Sequence, residues 1–535
     1  MKNTFLSRLA TLAVAATMVP LSSCLNELDQ TPDFQDSTET IYRDPAKIQG
    51  VLARLYATMA VSGQQGPSGL PDITGIDEGF SNYLRQYWKA QELTTDEAII
   101  AWNDGGLPAY SRMDWNANNE FVRAIYDRIF YQVSLCNEFL RQTTDDQLSD
   151  RGISGNDLAN VKTYRAEARF LRALSYWHAI DMFGNIPFAT EATAVGSAVP
   201  PRASRQEVFS YVEQELLEAQ TDLLDANTDP NNYGRANKAA AWTLLTKLYL
   251  NAQVYTGQPR WTEAVTYSKR VIDANVYQLS SDYRLLFLAD NNKNAGSREI
   301  IFPVNFDGLR TKTFGGMTFI IHASVGGSMP ASEFGINGGW FGLRTKPNLV
   351  AAFELDGSTR ATDRRAMFYT DGQRNQIEDI FTFTDGYPST KFRNKTSTGQ
   401  DGSDATGDFV DTDFPMFRLA DVYLMYAEAA FRGGNGATSL TPLAAVNLVR
   451  ARAGAPNLAT LTEDNLLRER SRELYWEGHR RTDLIRFGKF TSGSYVWPFK
   501  GGTTAGQGVD ATRALFPIPS TDLIANPNLR QNPGY

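Results

Sequence analysis

Apolar residues return at helical spacing in three similar blocks, 162–183 (KTYRAEARFLRALSYWHAIDMF), 236–254 (ANKAAAWTLLTKLYLNAQV) and 417–431 (FRLADVYLMYAEAAF). Each mixes alanine with leucine and aromatics, so small side chains let neighbouring helices approach closely. Each is followed by a more clearly two-faced segment, at 205–224, 260–274 and 440–453, which predicts helical hairpins. Two intervening stretches, 62–118 and 285–415, have a different texture, rich in Gly, Asn, Asp, Ser and Thr. Their short apolar runs, EIIFPV and MTFIIHA, read as brief strands or buried loop segments. The helical pattern brackets both stretches, so they are insertions in one body over 41–535 rather than separate domains. Long structured loops of this kind usually carry function, which makes them the place to look for a ligand site.

One further helical stretch, residues 460–490, has a charge pattern of its own. Thr460 and Glu463 are spaced as a capping box, Asp464/Arg468 and Glu469/Arg472 are spaced to pair along a helix face, Gly478 ends the run, and a second short helix restarts from Asp483. Glu473, Glu477, Arg480, Arg481, Asp483 and Arg486 are interleaved with Leu474, Tyr475, Trp476, Leu484, Ile485 and Phe487. That setting is too apolar for solvated charges and predicts a paired, partly buried ion network at a helix corner. Carboxylates with arginines so close stay ionised, which suits structure better than general-acid chemistry.

Composition narrows the classes of function. The 535 residues carry a net charge of -8, which argues against a nucleic-acid partner, because phosphate contacts need a concentrated basic face. Two cysteines, Cys24 and Cys136, make no disulfide framework; Cys136 reads as an inert buried thiol. His178, His322 and His479 are far apart in sequence, and no HExxH, CxxC or GxSxG spacing occurs. At the N-terminus, Lys2 and Arg8 precede an apolar run from Leu9 to Val19 and then Leu21-Ser22-Ser23-Cys24, the order of an export leader over 1–23. Leu-Ser-Ser-Cys resembles the bacterial lipobox, in which Cys24 is lipidated, leaving 24–40 as a polar tether to a membrane.

Three insertion segments combine flat aromatics with short polar or forked groups, the mixture that binds sugars through their C–H faces and hydroxyls. PDITGIDEGFSNYLRQYW contributes Asp72, Asp77, Glu78, Tyr83 and Arg85. TTDEAIIAWNDGG contributes Asp96, Glu97, Trp102, Asn103 and Asp104. The third runs from DGLRTKTFGGMTF to INGGWFGLR and contributes Lys312, Phe314, Asn337, Trp340 and Arg344.

The segments RERSRELYWEGHRRTDLIRFGKF and FPMFRLADVYLMYAEAAFRGG resemble the SusD-like (RagB/SusD) family of outer-membrane, glycan-binding lipoproteins of Bacteroidota, and the resemblance covers essentially the whole chain. It implies a mostly α fold in which four tetratricopeptide-type helical hairpins carry a loop-rich, short-stranded ligand face. Periodicity alone supports only stacked hairpins, with irregular spacing and the alanine positions in common with such repeats. The implied role is non-enzymatic: a lid, lipid-anchored outside the cell, that captures oligosaccharide and delivers it to a TonB-dependent transporter of SusC type. The insertions are most similar to the starch-binding branch. Carried over position by position, Trp102, Phe314 and Trp340 form an aromatic arc, with Asp77 and Arg85 as hydroxyl partners. Two positions depart from the branch. Phe314 replaces a tyrosine, and Gly105 replaces an asparagine, leaving Asn103 to substitute for it. Starch-type α-glucan is therefore the first expected cargo, a fructan, dextran or host glycan the second, and glycoside hydrolysis the less favoured alternative.

No cofactor is required by this reading, but a structural calcium ion is an expectation. Asp290, Asn292 and Asn294 alternate as in an oxygen-ligand loop, without the glycine and glutamate that complete an EF-hand, and Asp411 and Asp413 offer further carboxylates. Lys293 counts against the site, whereas the resemblance to the starch-binding branch, which holds calcium with such acids, favours it. The stacking argument also implies that Trp102→Ala or Trp340→Ala removes binding and leaves folding intact.

Overall fold

The computed structural model describes residues 37–535 except 68, 195, 197, 198, 438 and 439. The leader, Cys24 and most of the tether lie outside the described residues. Within the last tether positions a short helix, Thr38–Tyr42, already begins, capped by the Ser37 side chain. No helix among the described residues is long and apolar enough to cross a membrane.

Nearly every residue from Ala166 to Phe183 is buried in the helix Gly155–Phe183, so this helix is enclosed on all sides and its apolar positions form no single stripe. It starts seven residues before the expected block because its first turns are polar and exposed and carry no apolar period. Seven helices follow one another in a packed layer: Glu120–Gln142, Gly155–Phe183, Arg205–Ala219, Lys238–Leu250, Trp261–Asp273, Leu419–Phe431 and Pro442–Ala453, each against the next. The three expected hairpins are present. The helix Arg205–Ala219 opens on a complete Ser204/Glu207 capping box, and the block 236–254 is split at Asn251 into Lys238–Leu250 and Ala252–Thr256. Glu120–Gln142 was not among the expected blocks, although Phe121, Ile125, Ile129, Val133, Cys136 and Leu140 give it a helical period. Cys136 is fully buried there, and burial pushes its thiol up to about 12.

The first insertion is less loop-like than its composition. All residues from 81 to 100 are buried, the helix Tyr83–Trp88 runs directly into a π-helical turn, Lys89–Leu93, and the strand Ala98–Ile100 follows. That strand pairs antiparallel with Leu343–Thr345 of the second insertion, which fastens the two insertions into one face. EIIFPV does form a strand, Ile300–Val304, paired with Phe414–Arg418. MTFIIHA does not; it lies within the helix Gly316–Ala323, buried on every side, and a continuous apolar run of that length has no period to tell helix from strand.

The corner at 460–490 is built as an ion network, more deeply buried than expected. Its first helix is Glu463–Leu474, and the capping box is Thr462 with Asn465 rather than Thr460 with Glu463. The helix ends at Leu474, before Gly478, because Trp476 takes a left-handed φ of 65°, and the next helix resumes at Arg480 instead of Asp483. Glu469 and Arg472 pair at 2.8 Å, but Arg468 turns to Asp356 rather than to Asp464. Arg418 meets Glu299 at 2.9 Å, Glu477 at 2.6 Å and also Glu473, which in turn takes Arg365 at 2.9 Å and Arg452. Arg480 grips Asp96 with two bonds of 2.7 and 2.8 Å, and Arg486 grips Glu428 in the same way. Burial alone would raise the Glu473 carboxyl, yet Arg452, Arg418 and Arg365 hold it down to about 2.

Removing one partner of such a network strands a buried charge. Arg418→Ala is therefore expected to cost about 3–5 kcal/mol in urea unfolding. Glu473 titrates lower in the folded protein than its ordinary 4.5. Its contribution is present above that value and should be lost as pH falls from 4.5 towards about 2, a limb that equilibrium unfolding will find weakened in the Arg418→Ala protein.

Candidate functional site

The strand pair that joins the insertions also aligns two tryptophans. Ile100 lies opposite Leu343, and the Ala101 amide donates to the Gly342 carbonyl at 2.8 Å, so Trp102 and Trp340 emerge at the same end of the ladder. The Trp102 indole N–H donates to the Trp340 carbonyl at 2.9 Å, and the two rings stand 6.3 Å apart at 41°. Gly342 is required here by close approach, because a Cβ would come within 2.9 Å of the Trp102 ring. Phe314, just before the helix Gly316–Ala323, sets its ring 6.3 Å from Trp340 at 64°. The three rings are half-buried and present a curved aromatic surface.

Each ring has a backing. His322 stacks behind Trp340 at 4.7 Å, Phe319 meets Trp102 edge-on at 5.7 Å, and Phe409 lies 5.6 Å from Phe314. Sequence reasoning missed these three; His322 and Phe319 share the run MTFIIHA, whose helical form turns both towards the platform. Since Trp102 both packs and hydrogen-bonds, its truncation to alanine also removes fold contacts, contrary to the expectation that binding alone would suffer.

Arg85 sits beneath this surface with only 8% of its area exposed. One guanidinium nitrogen donates to the carbonyls of Gly79 and Phe314, both at 2.8 Å, and the group lies 4.3 Å from the Phe319 ring centre and 5.7 Å from that of Trp102. Burial brings it down to about 9, against the raising fields of Asp104 and Asp77, and it remains a cation at neutral pH. Asp77, Asn103 and Asp104 are exposed around the rim, and a Cβ at Gly105 would meet nothing within 4 Å. The structure thus gathers Asp77, Arg85, Trp102, Asn103, Phe314 and Trp340 into one place, with Arg85 buried as a staple for the Phe314 backbone rather than facing solvent as expected of a hydroxyl partner.

Several other polar candidates belong to the framework instead. Asp72 pairs with Arg54 and Arg128, Tyr83 is buried against His178 at 2.8 Å, and Glu78 is buried. Asp96 and Glu97 are part of the corner network through Arg480. Arg344 is fully buried and donates to the carbonyls of Gly342, Ile380, Thr382 and Asp385. Lys312 lies exposed over Phe409, and Asn337 bonds to Asp408. An apolar cavity of about 320 Å³ elsewhere is lined by Leu52, Tyr56, Tyr164, Phe302 and Arg235 and shares no residue with the aromatic surface.

The calcium expectation is not met by the donors. Asp290 accepts from Asn294 and from both the amide and hydroxyl of Ser397, and Asp411 accepts from Gly308 and Ser403. Asp413 accepts from the Phe306 amide, and burial raises its carboxyl to about 7. Asn292 lines a small cavity with Tyr233 and Tyr277, and its neighbour Asn291 bonds to the Asp413 backbone at 2.9 and 3.2 Å. Among the described residues no group of three or more His, Cys, Asp or Glu side chains is placed to hold a metal ion. Asp290 and Asp411 are thus engaged with loop amides and side chains.

Comparison with known proteins agrees with this architecture. The family model described as SusD family matches residues 337–535, and that described as "Starch-binding associating with outer membrane" matches residues 28–250. The starch-binding protein SusD of Bacteroides thetaiotaomicron is 35% identical over 580 aligned positions, covering 100% of both chains. A SusD-like protein of Formosa agariphila is 27% identical, covering 96% of this chain and 97% of its own. Among solved structures, surface glycan-binding protein A from Bacteroides fluxus superposes with a TM-score of 0.70 at 20% identity, covering 92% of this chain and 99% of its own. The same protein from Bacteroides thetaiotaomicron in complex with laminarihexaose gives 0.69 at 19% identity, covering 91% and 99%. Both structures share the fold, and with full-length identity to a starch-binding relative alongside them, the chain belongs to the SusD family of glycan-binding proteins.

Proposed function

We propose that this protein captures starch-type α-glucan oligosaccharides at the cell surface on Trp102, Phe314 and Trp340, and passes them to a TonB-dependent transporter of SusC type in the outer membrane. The observation that carries the reading is the mutual tilt of the three rings, 41° and 64°, above a rim of Asp77, Asn103 and Asp104. A flat ribbon of sugars would need coplanar rings, whereas a helically coiled glucan needs a curved floor on which successive C–H faces stack. The 35% identity to a starch-binding relative supports the same cargo. Phe314 keeps the stacking face without a hydroxyl, and Gly105 leaves an amide contact unmade. Anchorage is through lipid on Cys24, and the layer of hairpins offers the surface for the transporter. In this reading the protein binds without cleaving, and the corner acids Glu473 and Glu477, buried and paired with arginines and lysine, belong to the framework.

Calorimetry with maltoheptaose and a cyclic maltooligosaccharide is expected to give heat, with dextran, a fructan and laminarihexaose silent. Heat only with one of the latter three would keep the capture role and replace the cargo. Trp340→Ala should weaken maltoheptaose by more than roughly tenfold, the free energy of one lost stacking contact with its shape complementarity. Gly105→Asn, for which there is open space, should tighten it about fivefold if the new amide reaches a sugar hydroxyl.

A further inference from the structure

Next to Trp340 in the chain stands an aromatic that the platform does not use. Phe341 is 52% exposed and takes a φ of 54°, a left-handed conformation that bulky side chains rarely adopt. The conformation is imposed by its surroundings. The amides of Trp340, Phe341 and Gly342 donate in turn to the carbonyls of His322, Val325 and Ala323 at 2.8, 3.0 and 2.8 Å. An extended backbone would send the rings of Trp340 and Phe341 to opposite faces, one into the core; the left-handed residue frees Phe341 from that alternation. Strain held in place by three backbone bonds, and used to keep a large apolar ring in water, marks a functional position.

The surroundings of Phe341 repeat the composition of the first platform. Phe383 supports it edge-on at 5.5 Å and 63°. Gly326 lies under both rings: a Cβ there would come within 2.7 Å of Phe341 and 2.8 Å of Phe383, so the glycine lets the rings settle on bare backbone. Polar groups border the patch, among them exposed Ser328, bonded to the Tyr369 hydroxyl at 3.1 Å. Phe341 follows Trp340 directly in the chain, with their Cα atoms about 3.8 Å apart, so the patch adjoins the platform.

We propose that Phe341, supported by Phe383, is an additional stacking position that receives the continuation of the same glucan chain, so that the protein selects for oligosaccharide length. The inference rests on the reading of Trp102, Phe314 and Trp340 as the glucan platform. Its test is a titration of wild type, Trp340→Ala, Phe341→Ala and Phe341→Gly with maltotriose and with maltoheptaose. Phe341→Gly suits the left-handed backbone and guards against misfolding as a cause. Both Phe341 variants should bind maltoheptaose roughly tenfold more weakly and maltotriose within about twofold of wild type, while Trp340→Ala weakens both. Unchanged maltoheptaose affinity in the Phe341 variants, with Trp340→Ala still impaired, overturns the extension and leaves the platform standing, the result expected if the patch meets a protein partner instead. No effect of Trp340→Ala on either sugar overturns the platform itself, and the extension with it.

Discussion

A guanidinium sealed from water has to be matched by carboxylates, and Arg418 is matched by Glu299, Glu473 and Glu477. Much of the molecule is arranged to make that match. Glu473 and Glu477 come from the helix corner, Glu299 from the start of a strand, and Arg418 from the junction of its partner strand with the helix Leu419–Phe431. Lys391 and Arg365 bring the second insertion to the same acids. The network therefore determines how the hairpin layer and the ligand face sit together, and no single element can shift without stranding a charge.

The same corner supports the aromatic platform from below. The Trp88 indole donates to the Trp476 carbonyl, the Tyr87 hydroxyl donates to the Gly478 carbonyl, and the Gly478 amide returns a bond to Glu92. Residues 83–93 are thereby clamped to the corner, and they carry Arg85 on one side and lead into the strand before Trp102 on the other. Charge pairing deep in the protein and ring placement at its surface are thus parts of one framework. The elevated carboxyl of Glu97, pushed up to about 7 by burial, lies in this clamp beside Arg480 and Ser471.

What could be read from the chain follows a physical divide. The alanine-rich helical blocks were readable, and so was the corner, because charges interleaved with Leu474, Tyr475 and Trp476 have to be paired if they are buried; the equally periodic Glu120–Gln142 was passed over. Helix ends were not, since Trp476 in a left-handed conformation and the cap at Thr462 depend on tertiary contacts that no local pattern reports. The glycine and polar content of 62–118 made the whole stretch look like loop, although 81–100 within it has no glycine and its polar side chains are internal hydrogen-bonding groups. The aromatic candidates were visible as residue types, and their convergence was not, because it depends on a three-residue strand pair. Asp290, Asp411 and Asp413 had the look of metal ligands, and in the structure they accept bonds from loop amides: acids that cap loop amides occupy the same kind of sequence as acids that bind calcium.

That strand pair has a temporal meaning as well as a spatial one. Trp102 and Trp340 are 238 positions apart, and the bond between them closes only after the hairpins in between have been laid down. The entropic cost of closing so long a loop rises slowly with length, and a contact that spans 238 positions can close only when both segments are present. A chain emerging from its N-terminus holds Trp102 without Trp340. The aromatic surface therefore exists only once both insertions have been made and paired, and a copy that lacks the pairing lacks the surface altogether.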